Sequence, residues 1–162
     1  MLTFAELYAS YAQDVYRFAC WLSGSPSEAE DVTSETFVRA WTNLGRVRTE
    51  TLKGYLFRIA RNVYLGRLRK RRREIALPDS LSDPRPGPED FAEWREALAG
   101  VEGVLMALRE QDRAALLMRS VHSLEYAEIA RVLEVSEVAA RVKVHRARKL
   151  LLAWRANLEV DP

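Results

Sequence analysis

Six of the seven residues from Arg67 to Arg73, in the run RLRKRRR, carry a positive charge. Cations at that density repel one another unless an anion offsets them, and nucleic-acid phosphates are such an anion. The competing explanation for any charge run is a solvated face. A second cationic set comprises Arg141, Lys143, His145, Arg146, Arg148 and Lys149. These lie outside an apolar repeat of Ala140, Val144, Ala147, Leu151, Trp154 and Leu158, spaced alternately four and three apart. That spacing is one face of an α-helix, so the cations fall on the outer face. A helix fits the major groove of DNA, and an arginine on it can donate two hydrogen bonds to guanine. A helical hairpin with a solvated cationic face has the same periodicity, and periodicity does not separate the two.

Catalytic chemistry has much less to stand on. The sequence has no glycine-rich phosphate loop, no Cys/His nucleophile pair in a suitable context and no metal-ligand spacing. No enzymatic activity, metal or other cofactor is expected.

The chain has 162 residues, with 25 Lys and Arg against 23 Asp and Glu, a net charge of +2. That near-neutral total conceals a balance of +10 over residues 46–73 and +5 over 137–155, in an otherwise acidic chain that reaches −5 over 74–100. Two polyanion surfaces are therefore candidates. Apolar residues at 48% and charged residues at 30% support real cores and exclude a wholly disordered chain. A single cysteine, Cys20, excludes an internal disulfide framework and a cysteine zinc site, and fits a reducing compartment. The opening MLTFAELYAS holds a Glu and no basic cluster, so no secretory signal is visible. Apolar runs such as Val104 to Leu108 fall far short of the ~20 residues needed to span a bilayer. A soluble, cytoplasmic protein without membrane insertion is expected.

The elements that must carry these charges are helical. Phe4, Leu7, Tyr11, Val15, Phe18 and Leu22 form one helical stripe, opened by the capping box Thr3-Phe4-Ala5-Glu6 and closed by Gly24 and Ser25. Ser25 as N-cap and Pro26 at the first helical position start a second helix, with Ala29, Val32, Thr36 or Phe37, Ala40, Trp41 and Leu44 inward. A third, with Leu52, Leu56, Ile59, Val63 and Leu68 inward, runs into the basic run. Pro78, Pro84, Pro86 and Pro88 lie within eleven residues and prevent a helix there. The expected architecture is all-α, in two small helical domains, residues 1–74 and 89–162, joined by a Pro-rich linker over 75–88. In the second domain Phe91, Trp94, Leu98, Val101, Leu105 and Leu108 keep helical spacing, weakened by Gly100 and Gly103. A short helix around Ala114 to Ser120, another over Tyr126 to Leu133, and a long helix capped by Ser136 complete the chain. The last two, with a short turn between them, have the helix-turn-helix arrangement.

Three strings give this layout a family resemblance. YAEIARVL from Tyr126, followed by HRAR from His145, resembles region 4 of the extracytoplasmic-function (ECF) sigma factors. AEDVTSETFVRAW, from Ala29 to Trp41, resembles the region 2 helix usually written AEDLVQETFLRAW. LFRIARN, from Leu56 to Asn62, resembles the WLFRIARN segment that follows it. The strings stand in the family's order and the two domains cover nearly the whole chain.

The resemblance implies a dissociable specificity subunit of bacterial RNA polymerase. Glu30, Asp31, Ser34, Glu35 and Arg39, on the outward face of the second helix, would bind the basic coiled coil of the polymerase β′ subunit. The acidic members have a metal site as alternative, but no His or Cys joins them. Tyr55, Phe57, Arg58, Arg61, Asn62, Arg69 and Arg72 would bind and open the promoter −10 element, with the loop from Gly45 to Thr51 as the rim of a pocket for an extruded base. Tyr55 is as readily a core aromatic. Arg141, Val142, His145 and Arg146 would contact bases of the −35 element, with Lys143 and Arg148 on phosphates, while the second domain docks on the β flap. The acidic linker would thread toward the polymerase active-site and RNA-exit channel. An anti-sigma factor is a further implied partner. His122 receives no role.

The sequence departs from the family pattern at several places. Tyr55 replaces the usual Trp, Gly66 replaces an Asp, and Glu134 occupies the turn position that normally holds Gly. The recognition helix begins EVAARVK rather than VGTVKSR, which leaves Val138 and Val142 exposed one turn apart. Those valines would touch thymine methyls or form an apolar protein contact. The alternative from a different functional class is a free-standing helix-turn-helix regulator that never engages polymerase. It leaves the acidic face from Asp31 to Arg39 without a task.

Overall fold

The computed structural model describes residues 2–44, 51–76 and 92–160, except for the side chains of residues 76, 92–99 and 158–160. These residues form α-helices α1 (Phe4–Ser23), α2 (Pro26–Thr42), α3 (Leu52–Ala76), α4 (Ala92–Ala107), α5 (Glu110–Ser120), α6 (Tyr126–Leu133) and α7 (Glu137–Val160), and no strand. The all-α expectation holds.

Local chemistry fixes most of the helix ends. The Thr3 backbone N–H donates to the Glu6 carboxylate at 2.9 Å, and the Glu6 N–H donates back to the Thr3 hydroxyl at 3.1 Å. Gly24 takes the left-handed conformation, φ 69°, that ends α1, and donates its N–H to the Cys20 carbonyl. The Ser25 hydroxyl accepts from the Glu28 N–H at 3.1 Å, and Pro26 supplies a first turn without a wasted donor. Ser136 likewise accepts from the Ala139 N–H at the start of α7.

Several expectations are corrected, among them the inward place of Trp41 on α2, a side chain that is 42% exposed. α5 begins at Glu110, a turn before the expected Ala114, because Asp112 and Arg113 are buried by partners elsewhere in the fold. α3 runs on through Ile75 and Ala76, two residues expected in the linker. The rest of that segment, with its four prolines, lies in residues 77–91, outside the described residues, as does the loop of residues 45–50.

α1, α2 and α3 pack together, and α5, α6 and α7 do the same, yet the two groups share a core. Phe18 of α1 stacks on Phe57 of α3 at 4.7 Å, and His122, in the α5–α6 turn, meets the Phe57 ring edge-on at 4.6 Å. Arg113 of α5 is 4% exposed and donates from Nε to the Leu22 carbonyl at 2.9 Å and from Nη1 to the Leu108 carbonyl at 3.1 Å. A guanidinium thus caps the C-terminal ends of α1 and α4, where carbonyls lack helical partners and the helix dipole is negative. Gly100 is where α4 crosses α7: a Cβ there would collide with the Trp154 ring.

Candidate nucleic-acid and polymerase interfaces

On α2 the acidic set faces outward. Glu30, Asp31, Ser34 and Arg39 are exposed and Glu35 is half-buried. Arg39 pairs with Glu35 one turn away at 2.5 Å, and Asp31 receives Arg67 of α3 at 3.0 Å. The inward neighbours Thr33 and Thr36 donate their buried hydroxyls to the carbonyls of Ala29 and Val32, so the core face leaves no polar group stranded there. Among the described residues no group of three His, Cys, Asp or Glu could hold a metal ion.

α3 divides its cations between two faces. Arg67 donates to Glu28 at 2.6 Å, and Arg71, one turn on, pairs with the same carboxylate, which is 5% exposed. Glu28 therefore does more than help start α2: its carboxylate anchors the basic run against that helix. Arg69, Lys70, Arg72 and Arg73 stay exposed, as does Asn62. The anion that offsets the run is thus partly supplied from within the chain, and four cations remain outward.

The remaining residues expected at the −10 element sit at the seam between the two halves. Arg61 is 8% exposed and donates from Nε and Nη2 to the two oxygens of Glu110 at 2.6 and 2.8 Å. Arg58 reaches Glu134 at 3.4 Å, and the Lys53 ammonium donates to the His122 carbonyl at 3.1 Å. Tyr55 is half-buried against the core. Phe57 is fully buried, which corrects its expected place beside unstacked bases: in this arrangement Phe18 and His122 occupy its ring.

α6 and α7 form the helix-turn-helix. Glu134 ends α6 in the left-handed region, φ 57° and ψ 46°, and its N–H donates to the carbonyls of Ala130 and Arg131. A side chain in that conformation costs roughly 1–2 kcal/mol, which is why glycine is usual there. Ala140, Val144 and Ala147 are fully buried and Leu151 and Trp154 are half-buried below them, so the opposite face of α7 presents outward. Arg141, Val142, His145, Arg146 and Arg148 are exposed, and Lys143 is half-buried. Several of these cations have partners. Arg141 bonds Glu137 at 3.1 Å and lies over the Tyr126 ring at 5.2 Å, Arg146 leans toward the buried Asp112 at 3.8 Å, and Arg148 donates to Ser120 at 3.3 Å. The geometry brings together a largely exposed cationic face on α7.

Residues 7–74 match the family model described as Sigma-70 region 2, and residues 100–151 match that of Sigma-70, region 4. Over 94% of both chains, the sequence is 30% identical to the ECF RNA polymerase sigma factor SigM of Bacillus subtilis. The chain belongs to the ECF sigma factors. It is also 34% identical to SigE of Mycolicibacterium smegmatis, over 97% of this chain and 63% of that longer one. The fold of this sigma factor is like that of RpoE from Bartonella quintana, solved with the anti-sigma factor NepR, at a TM-score of 0.77 and 23% identity over 98% of each chain. CnrH, solved with the cytosolic domain of CnrY, gives a TM-score of 0.71 at 24% identity, over 98% of this chain and 89% of that one. No helix among the described residues of this ECF factor is long and apolar enough to cross a membrane.

Sequence reasoning missed three residues of this sigma factor. Arg113 and Glu28 are charged residues buried by partners from other helices, which no local pattern announces. His122 is 5% exposed, its Nε2 has no hydrogen-bond partner, and burial, then the nearby Lys53 cation, lowers its pKa to about 4. It is a neutral imidazole wedged between the two halves. Cys20 is buried and its thiol pKa is raised by that burial, so it is not poised as a nucleophile.

Proposed function

We propose that this ECF sigma factor binds core RNA polymerase through the outward face of α2, with Glu30, Asp31, Ser34, Glu35 and Arg39 meeting the basic β′ coiled coil. Asn62, Arg69 and Arg72, joined by Tyr55, Arg58 and Arg61, engage the −10 element. The outer face of α7, with Arg141, Val142, Lys143, His145, Arg146 and Arg148, reads the −35 element while the C-terminal half docks on the β flap. The observation that carries this reading is the separation of charge by helix. An acidic α2 face that DNA would repel stands in the same chain as the cationic face of α7.

The arrangement described is a closed one. Glu110 and Glu134 of the C-terminal half sit on Arg61 and Arg58, where DNA phosphates would bind. Engagement of the −10 element therefore requires the halves to separate, and polymerase, which holds α2 and α7 at different places on its surface, supplies the separation. An anti-sigma factor that stabilises the closed form would keep the protein inactive. The apolar cleft of about 430 Å³ between Trp21 of α1 and Leu105, Leu116, Leu151 and Leu152 of the C-terminal half suits that role, because an occupant would touch both halves.

The test is association of the purified chain with core polymerase, compared with the variant Glu30→Lys/Glu35→Lys. Both residues lie on the outward face and neither bonds Arg67. The reading predicts stable association for the native chain and loss of at least tenfold in affinity for the variant. Promoter binding by the chain without any association with polymerase would replace it with the free-standing regulator.

A further inference from the structure

The pole of α7 opposite the buried Ala140, Val144 and Ala147 is a single stripe of Val138, Val142, His145 and Lys149. Its N-terminal half is apolar. Val138 is 71% exposed and Val142 48% exposed, so the fold gains little from either side chain. Isolated exposed valines need no explanation, but two in successive turns at the start of a recognition helix stand where that helix meets base edges.

We propose that Val138 and Val142 read the −35 element by packing on thymine C5-methyl groups, a deepening that rests on the DNA reading of α7 given above. Thymine alone presents a methyl group in the major groove, and an aliphatic side chain is its natural contact. The stripe is bordered on one side by Arg141 and Arg148 and on the other by Arg146. An apolar strip with cations on both flanks matches a groove floor between two phosphate backbones. An apolar protein partner would have to desolvate those cations instead.

Arg141, at the border of the stripe, is braced from its own side of the helix, held by Glu137 and by the Tyr126 ring. The spacing fits as well. Residues four apart on a helix are separated by about 6 Å along its axis, close to two base steps at about 3.4 Å each. The two valines therefore address thymines two steps apart, and His145 and Lys149 follow along the same groove.

The test uses the full chain assembled with core polymerase. A −35 sequence is selected from random DNA, and each of its thymines is then replaced singly by deoxyuridine, which removes only the methyl. Two positions, two steps apart, should each lose affinity by about fourfold, the worth of one buried methyl at about 0.8 kcal/mol. Val138→Ala should abolish the effect at one position and Val142→Ala at the other. Both sites are exposed helix positions where alanine is well tolerated, so folding is preserved. Sequence-dependent −35 binding that is indifferent to every methyl overturns the valine assignment alone. Affinity that does not depend on the −35 sequence at all overturns it together with the DNA reading of α7. Alanine variants that weaken polymerase association while thymine and uracil bind equally point to a protein contact and also overturn it.

Discussion

Arg61 of α3 grips Glu110 of α5 with two hydrogen bonds, at 2.6 and 2.8 Å, across the seam between sigma region 2 and sigma region 4. Both side chains are largely buried there, at 9% and 19% exposure. Removing one partner of a buried ion pair costs about 3–5 kcal/mol, because the other charge is left uncompensated. Opening the halves returns Arg61 to water and offsets that cost. Glu110→Ala should therefore shift the protein at least tenfold toward an open form. Small-angle scattering should show a larger radius of gyration, and labels on α2 and α7 a longer separation. The double variant Arg61→Ala/Glu110→Ala should lie closer to the native chain than Glu110→Ala alone. Unchanged distances in the single variant would mean that the pair does not hold the closed form.

The same seam should respond to acid through His122. Its pKa is about 4 in the folded chain against 6.5 for the ordinary group, lowered by burial and by Lys53 and Arg17, with Asp14 opposing. The unfolded chain therefore binds this proton more tightly. The contribution of His122 is complete above about pH 6.5 and is lost as pH falls toward 4, at no more than about 1.4 kcal/mol per pH unit. His122→Leu keeps an apolar side chain against Phe18 and Phe57 and removes the titration. Denaturant unfolding of both proteins should give parallel stabilities above pH 7. Between pH 6 and 4.5 the native chain should lose ground to the variant. Parallel curves through that window would show that protonation of His122 does not load the seam.

Two glycines should respond in opposite directions to the same change. Gly66 lies inside α3, and a Cβ there would meet only the Arg69 guanidinium at 4.0 Å. Gly66→Ala should stabilise the protein by about 0.5–1 kcal/mol through helix propensity. At Gly100 the added Cβ meets the Trp154 ring, so Gly100→Ala should destabilise by about 1–3 kcal/mol by forcing α4 from α7. Thermal unfolding reads both, at roughly 2–4 °C per kcal/mol for a chain of this size. Equal shifts for the two variants would contradict the close approach of α4 and α7.

The parts of the structure legible in the sequence are those set by neighbouring residues. Thr3 and Glu6, Ser25 and Pro26, and the spacing of Ala140, Val144 and Ala147 each act within a turn or two of helix, so their pattern survives in one dimension. The left-handed turn at Glu134 was visible for the same reason, as a residue standing where glycine is usual. What the sequence concealed depends on distant partners. The first turn of α5 reads as a polar loop because the burial of Asp112 and Arg113 is arranged by α7 and by the ends of α1 and α4. Phe57 stands inside a motif that suggests DNA contact, and only its packing on Phe18 shows it as core. Arg67 and Arg71 look like members of a uniform basic run until Glu28 draws them inward.

The most direct test of the central claim is transcription by core RNA polymerase on a pool of promoter DNA, with and without the chain. The account predicts transcripts from a defined set of promoters that appear only when the chain is present and that disappear with Glu30→Lys/Glu35→Lys. DNA binding by the chain, with no transcript above the level of core polymerase alone, would contradict it.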